Sequence, residues 1–181
     1  HLPARVAGCV AGCVAFIQPT VPPMPSVHKS VLITNSAEQM FDLVKDVESY
    51  PQFLPWCGGS EVHERSLHRM VATVRIDYRW LRNAFTTENE LHAPHRITMK
   101  LVDGPFSRLD GTWVFRTLRH DACKVEFALD YAFKSGLLGQ ALVPVFDHIA
   151  RSFVDAFVVR AEQVIESLTR LCERWVAEGG C

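Results

Sequence analysis

From Met70 to Phe133 apolar and polar residues alternate; from Leu138 onward the apolar residues recur every three or four positions instead. A period of two belongs to a strand with one buried face, and a period near 3.6 to an amphipathic helix. In the first run Met70, Ala72, Val74, Ile76 and Tyr78 oppose Arg69, Thr73, Arg75, Asp77 and Arg79. Phe85 to Leu91 and Ile97 to Leu101 continue the alternation, and Asp103-Gly104-Pro105 is a turn signal. Leu109, Gly111, Trp113 and Phe115 then share a face, as do Val125, Phe127, Leu129, Tyr131 and Phe133. Short turns between such strands imply an antiparallel meander of about six strands with an aromatic inner face. After Ser135-Gly136 comes one long helix, with Leu138, Leu142, Val145, Phe146, Ile149, Phe153, Phe157 and Val164 on one side. Its pattern runs through Leu168 and Leu171 to about Trp175, and Pro144 either kinks it or marks its first turn.

Before the meander, Val27 to Thr34 reads as a strand, and Asn35 or Ser36 as the cap of a helix carrying Met40, Phe41, Val44 and Val47. Tyr50-Pro51 interrupts that helix, and Gln52-Phe53-Leu54 begins a second short turn before Pro55. A wide sheet with one apolar face needs a cover, and only the last helix is long enough. The expected fold is therefore α+β, a curved antiparallel sheet wrapped around a long C-terminal helix, the helix-grip arrangement. Its expected limits are 26–176, with an arm at 1–25 and a tail at 177–181. Val6 to Ile17 is apolar yet too short to span a bilayer, and reads as an upstream arm or, less well, as a signal segment.

Composition narrows the function classes. The chain of 181 residues is 48% hydrophobic and 22% charged, enough for a large core without metals or disulfides. A net charge of -1 gives no global field for nucleic acid, and no DNA partner is expected. The six cysteines form no CxxC pair and no zinc spacing, so no metal is expected, and Cys57 and Cys123 read as core thiols. The eight histidines make no HExxH pair and no nucleophile motif appears, so no catalytic residue is assigned.

Tyr50-Pro51-Gln52-Phe53-Leu54-Pro55-Trp56-Cys57 resembles the signature of the coenzyme Q-binding protein family and its bacterial relative, the ribosome association toxin. Asp103-Gly104-Pro105-Phe106 leading into Leu109-x-Gly111-x-Trp113-x-Phe115 is similar too, as are Val125 to Phe133 and Ala156-Phe157 with Arg160-Ala161. The resemblance covers roughly residues 26–167 and places the chain in the START-like, polyketide cyclase/dehydrase superfamily. It implies ubiquinone or a similar prenyl lipid as bound ligand, with no required cofactor, in support of respiration. The alternative it implies is association with the large ribosomal subunit, blocking subunit joining. A polyketide aromatase/cyclase comes third. The implied location is the bacterial cytoplasm or the inner-membrane surface, with at most peripheral membrane contact.

A cavity between sheet and helix is the expected site. Its expected walls are Tyr78, Phe85, Met99, Leu101, Trp113, Phe115, Phe127, Tyr131 and Phe133 from the sheet, and Leu142, Phe146, Ile149, Phe153 and Phe157 from the helix. Pro55, Trp56, Pro105 and Phe106 are expected at its mouth. Thr87 and Asn89 point inward beside Phe85 as polar hooks, while Glu88 and Glu90 point out. Arg75, Arg79 and Arg116 are the expected basic face for a ribosomal partner. Arg160 is expected to snorkel to the rim, within reach of a ligand carbonyl or Asp103.

Overall fold

The computed structural model describes residues 24–134 and 136–178. The first 23 residues, which make up most of the expected arm, lie outside them, as do Ser135 and the last three residues. The expected α+β helix-grip architecture is present. Strand β1 (Ser26–Ile33) leads into helix α1 (Ala37–Lys45) and a short 3-10 helix (Val47–Gln52). Six strands follow: β2 (Cys57–Arg65), β3 (Arg69–Tyr78), β4 (Leu81–His92), β5 (Arg96–Asp103), β6 (Phe106–Arg119) and β7 (Ala122–Phe133). Helix α2 (Leu137–Ala177) ends the chain of elements. The sheet order is β1-β7-β6-β5-β4-β3-β2, every pair antiparallel. The last six strands thus form a simple meander, and β1 returns to pair with β7.

Local chemistry explains the element ends. Ser36 Oγ accepts from the Gln39 backbone N–H (3.1 Å), and Gln39 Oε1 accepts from the Ser36 N–H (2.9 Å). This capping box settles the cap on Ser36 rather than Asn35. The second turn begins at Val47, about five residues earlier than expected, and holds Tyr50-Pro51 inside it. Strand β2 escaped the sequence pattern because it is an edge strand whose alternation is broken by Gly58-Gly59 and by polar residues on both faces. Gly104 sits at φ 144° in the β5–β6 turn, and a Cβ there would lie 2.8 Å from that of Phe85, so the turn accepts only glycine.

Register shifts at Cys57/Gly59, Val62/Glu64, Thr86/Thr87, Phe106/Arg108 and Thr117/Arg119 mark bulges that bend the sheet. The concave face closes on α2, which begins seven residues before Pro144 and runs through it, so Pro144 is not its first turn. Leu142, Phe146, Ile149, Ala150, Val154, Phe157 and Ala161 are buried. On the far side Lys29 of β1 pairs with Asp155 and donates to the Arg151 carbonyl at 3.1 Å, fastening the sheet edge to the helix. The cover stops at Ala161: Val164, Leu168, Leu171 and Trp175, which share the helical pattern, are exposed.

Candidate functional site

The signature octapeptide builds one wall. Tyr50 donates its hydroxyl to the Val44 carbonyl at 2.6 Å, and its ring meets Phe53, Phe153 and Phe157 edge-on at centroid distances of 5.3–6.0 Å. Leu54 N–H closes on the Tyr50 carbonyl (2.9 Å), and Asp77 N–H on the Trp56 carbonyl (2.8 Å). The prolines thus set a rigid connection that presses Trp56 against Phe153, 5.5 Å away. Tyr50 joins two helices to the sheet and stays a neutral phenol: burial, with Cys57 and Asp46 adding, pushes its hydroxyl far above the ordinary value.

Between the sheet and α2 lies a cavity of about 60 Å³. Of the residues expected to wall it, Phe85, Met99, Phe127, Phe146, Ile149 and Phe153 do so, together with Trp56. Val47, Tyr50, Ala72, Val74, Leu109, Leu129 and Ala150 also line it. Ala72, Val74, Leu109 and Leu129 were legible as inward-facing, and nothing in the alternation told which inward residues meet empty space. Thr87 and Asn89 line the cavity as expected, both buried. Asn89 Oδ1 and Trp56 Nε1 have no protein partner.

The other expected wall residues are elsewhere. Trp113, Phe115 and Phe157 are packed solid: the Trp113 ring lies 4.4 Å from Phe127, 5.4 Å from Phe157 and 6.3 Å from Phe115. Tyr131 is fully buried against Phe146 at 4.7 Å, and Leu142 is buried in the same core. Burial first, and then the Asp147 carboxylate, push the Tyr131 hydroxyl up to about 12. Tyr78 stacks on His148 (6.0 Å), and Leu101 and Phe133 pack on the core from half-buried positions. The four residues expected at the mouth do not rim an opening. Phe106 is buried between Phe133 (4.6 Å) and Phe146 (4.8 Å), because the β5–β6 turn folds it inward rather than over an opening. Trp56 is wall rather than rim, Pro55 is exposed, and Pro105 is half-buried, its carbonyl accepting from Lys134 N–H at 3.0 Å. Arg160 reaches neither the cavity nor Asp103: it donates to Gln52 Oε1 at 3.1 Å and lies over the Phe53 ring.

The cavity can hold an apolar group and offer it one or two hydrogen bonds. Its lining has no carboxylate, imidazole or amine to move a proton near neutral pH. The thiol of Cys57, held up by burial, donates to the Gly59 carbonyl at 3.4 Å, and burial holds Cys123 up as well. Among the described residues no cluster of His, Cys, Asp or Glu could hold a metal ion. Nor is any helix among them long and apolar enough to cross a membrane.

The outer sheet face is balanced rather than basic. Arg75 pairs with Glu61 (3.3 Å) and Arg116 with Glu126 (2.5 Å), while Arg79 lies over the Tyr78 ring. Strands β3 and β6 have two others between them and lie about 14 Å apart, and the register sets Arg75 and Arg116 toward opposite ends of the sheet. They do not form the contiguous patch expected. A different polar surface exists at one end of the sheet. His68, His92, His95, Arg96 and Arg116 line an open groove of about 620 Å³ beside the exposed Leu67. No carboxylate lines it, and Arg96 has no ion-pair partner among the described residues. Backbone bonds from Leu91 to His68 and from Phe115 to His95, both 2.8 Å, hold its loops together. The residues are far apart in the chain, so no sequence spacing could have shown it.

A bent antiparallel sheet gripping one helix over an internal cavity defines a START-like domain. The model of the family described as polyketide cyclase/dehydrase and lipid transport matches residues 33–158, and the chain belongs to that family. The ribosome association toxin RatA of Escherichia coli is 45% identical over 141 residues, 78% of this chain and 89% of that protein. A mitochondrial coenzyme Q-binding protein homolog of Xenopus laevis is 28% identical over 140 residues, 75% of this chain and 57% of that protein. The Streptomyces aromatase/cyclase Zhui superposes with a TM-score of 0.70 at 17% identity, over 79% of this chain and 96% of that one, which shows the fold alone.

Proposed function

We propose that the protein associates with the ribosome, at the large subunit, in the bacterial cytoplasm. The observation that carries this reading is the 45% identity to a ribosome association toxin, spread over nine-tenths of that protein's length. Two features of the geometry support it. The cavity of about 60 Å³ has room for about two water molecules, against the ~150 Å³ that admits a benzene ring. In the groove Arg96, with His68 and His95 beside it, offers donors to phosphate oxygens with no carboxylate paired to them among the described residues. Such contacts give an association that weakens steeply with salt. The test is sedimentation of the purified chain with isolated large subunits through gradients of rising salt. Wild type should travel with the subunit at low salt, and Arg96→Glu should remain at the top. A wild-type chain that stays at the top of the low-salt gradient refutes the reading.

A second reading, a carrier or chaperone of ubiquinone or a similar prenyl lipid, draws on one observation. Asn89 Oδ1 and the Trp56 indole N–H are buried and unpartnered beside the cavity, an acceptor and a donor suited to a polar headgroup. Holding a ring would require Phe153 or Phe146 to move. Native mass spectrometry of gently purified protein, with extraction of bound lipid, tests it: an empty protein rejects it, and a stoichiometric prenyl lipid that Phe146→Asp abolishes supports it. The aromatase/cyclase reading rests on likeness of fold and draws no support from the cavity lining.

A further inference from the structure

Helix α2 is longer than the domain it covers. Within the domain it buries Ala150, Val154, Phe157 and Ala161, spaced four, three and four residues apart. The same rhythm continues without a break through Val164, Leu168, Leu171 and Trp175, which are 38%, 53%, 55% and 61% exposed. From Glu162 to Glu178 no residue is buried. The overhang is 16 residues of helix, ~24 Å long, and none of the described residues buries any part of its stripe. A seven-residue apolar repeat is the pattern by which helices pair. Ile165 and Cys172 widen the stripe along one edge.

We propose that this overhang pairs antiparallel with the same segment of a second copy of the chain, making a homodimer. Two-fold pairing requires that if residue i meets j, then j meets i. The register that satisfies this sets Val164 opposite the second copy's Trp175, and Leu168 opposite its Leu171. The smallest member of the stripe then faces the largest and the two leucines face each other, so the layers have similar volume. A parallel pair in register would stack Trp175 on Trp175 and Val164 on Val164, a crowded layer and a hollow one. In the antiparallel register the flanks also agree. Ile165 lies beside the second copy's Cys172 on one side, and Ser167 beside its Arg174 on the other. No like charges meet. Ala177 of one helix comes level with Glu162 of the other, so the paired stretch is the stretch that leaves the domain.

The stripe exposes roughly 400 Å² of apolar surface per helix, taking about 150–250 Å² for a whole aromatic side chain as the scale. A pair buries about twice that before the arginine and glutamate stems are added. This reaches the lower end of specific interfaces, near about 1,000 Å², so dimer formation should depend on concentration. The inference is independent of the proposed function, because none of its residues lines the cavity or the histidine groove.

Sedimentation equilibrium of the full chain under reducing conditions tests the association. A reversible monomer–dimer equilibrium is expected. Leu168→Glu with Leu171→Glu should weaken it at least about tenfold. At a concentration low enough for wild type to be monomeric the urea midpoint of the domain should not change, since neither leucine touches the core. A chain that is monomeric at every concentration, leaving the stripe to a different protein, overturns the proposal. So does a double variant that dimerises as tightly as wild type. Orientation is read separately, with Cys9, Cys13 and Cys181 replaced by serine. Adding Ile165→Cys should then give a disulfide between position 165 of one copy and Cys172 of the other, found by peptide mapping. Links confined to Cys172–Cys172 overturn the antiparallel register.

Discussion

Replacing Asn89 by leucine should make the protein more stable. Asn89 lies on the inner face of β4, 4% exposed, with Phe85 and Thr87 on the same face and the cavity in front of it. Its Oδ1 accepts no hydrogen bond from the protein. A buried polar group left unpaired costs about 1–3 kcal/mol relative to a satisfied one, and an apolar side chain of similar shape avoids that cost. The cavity of about 60 Å³ gives the leucine methyls room, so overpacking does not offset the gain. The net expectation is about 1–3 kcal/mol of added stability. For a domain of this size each kcal/mol raises Tm by about 2–4 °C. Urea unfolding followed by fluorescence measures it, and an unchanged m-value is required for the comparison. A lowered midpoint would refute the reasoning, because it would mean that buried water already satisfies the amide and that leucine expels it. A raised midpoint together with lost lipid or lost ribosome association would identify Asn89 as a residue kept at the expense of stability for its function.

Four further outcomes follow from the same structure. Phe153→Ala removes a ring that touches Tyr50, Trp56, Trp113, Phe127 and Phe157, and should cost about 3–5 kcal/mol in urea unfolding while enlarging the cavity enough to bind benzene by NMR titration. Gly104→Ala forces a side chain into a positive φ against Phe85 and should cost about 1–3 kcal/mol by the same assay. Ser36→Ala opens the capping box and should cost about 1 kcal/mol, with the loss confined to faster hydrogen exchange in the first turn of α1. Arg116, and then Lys124, hold the Glu126 carboxyl below the ordinary carboxylate range. Its contribution is therefore present above the unfolded value, near about 4.3, and fades as pH falls through the folded value. The stability difference between wild type and Arg116→Gln should accordingly be larger at neutral pH than in acid, and a difference that grows on acidification would contradict the pairing.

The fold was readable because its signals are local. Alternation in β3, β4, β6 and β7 assigns each side chain to a face before any partner is known, and so Thr87 and Asn89 could be placed inward. The capping box at Ser36 and the turn at Gly104 depend on three or four neighbouring residues. The edge strand β2 lacks such a signal, since its pairing with β3 is made by backbone groups.

The site depended on other distances. Alternation says which face a residue takes, and says nothing of where along that face the helix leaves a gap. The line of α2 across the sheet therefore decided that Phe127 and Phe153 border the cavity while Trp113 and Phe157 are filled core. Strand order decided that Arg75 and Arg116 stand apart, each beside its own carboxylate, and that three distant segments bring His68, Arg96 and Arg116 to one groove. The apolar rhythm of α2 was plain in the sequence from Leu142 to Trp175, but burial is a property of two surfaces. Only the extent of the sheet decided that the rhythm is covered as far as Ala161 and bare from Val164 onward.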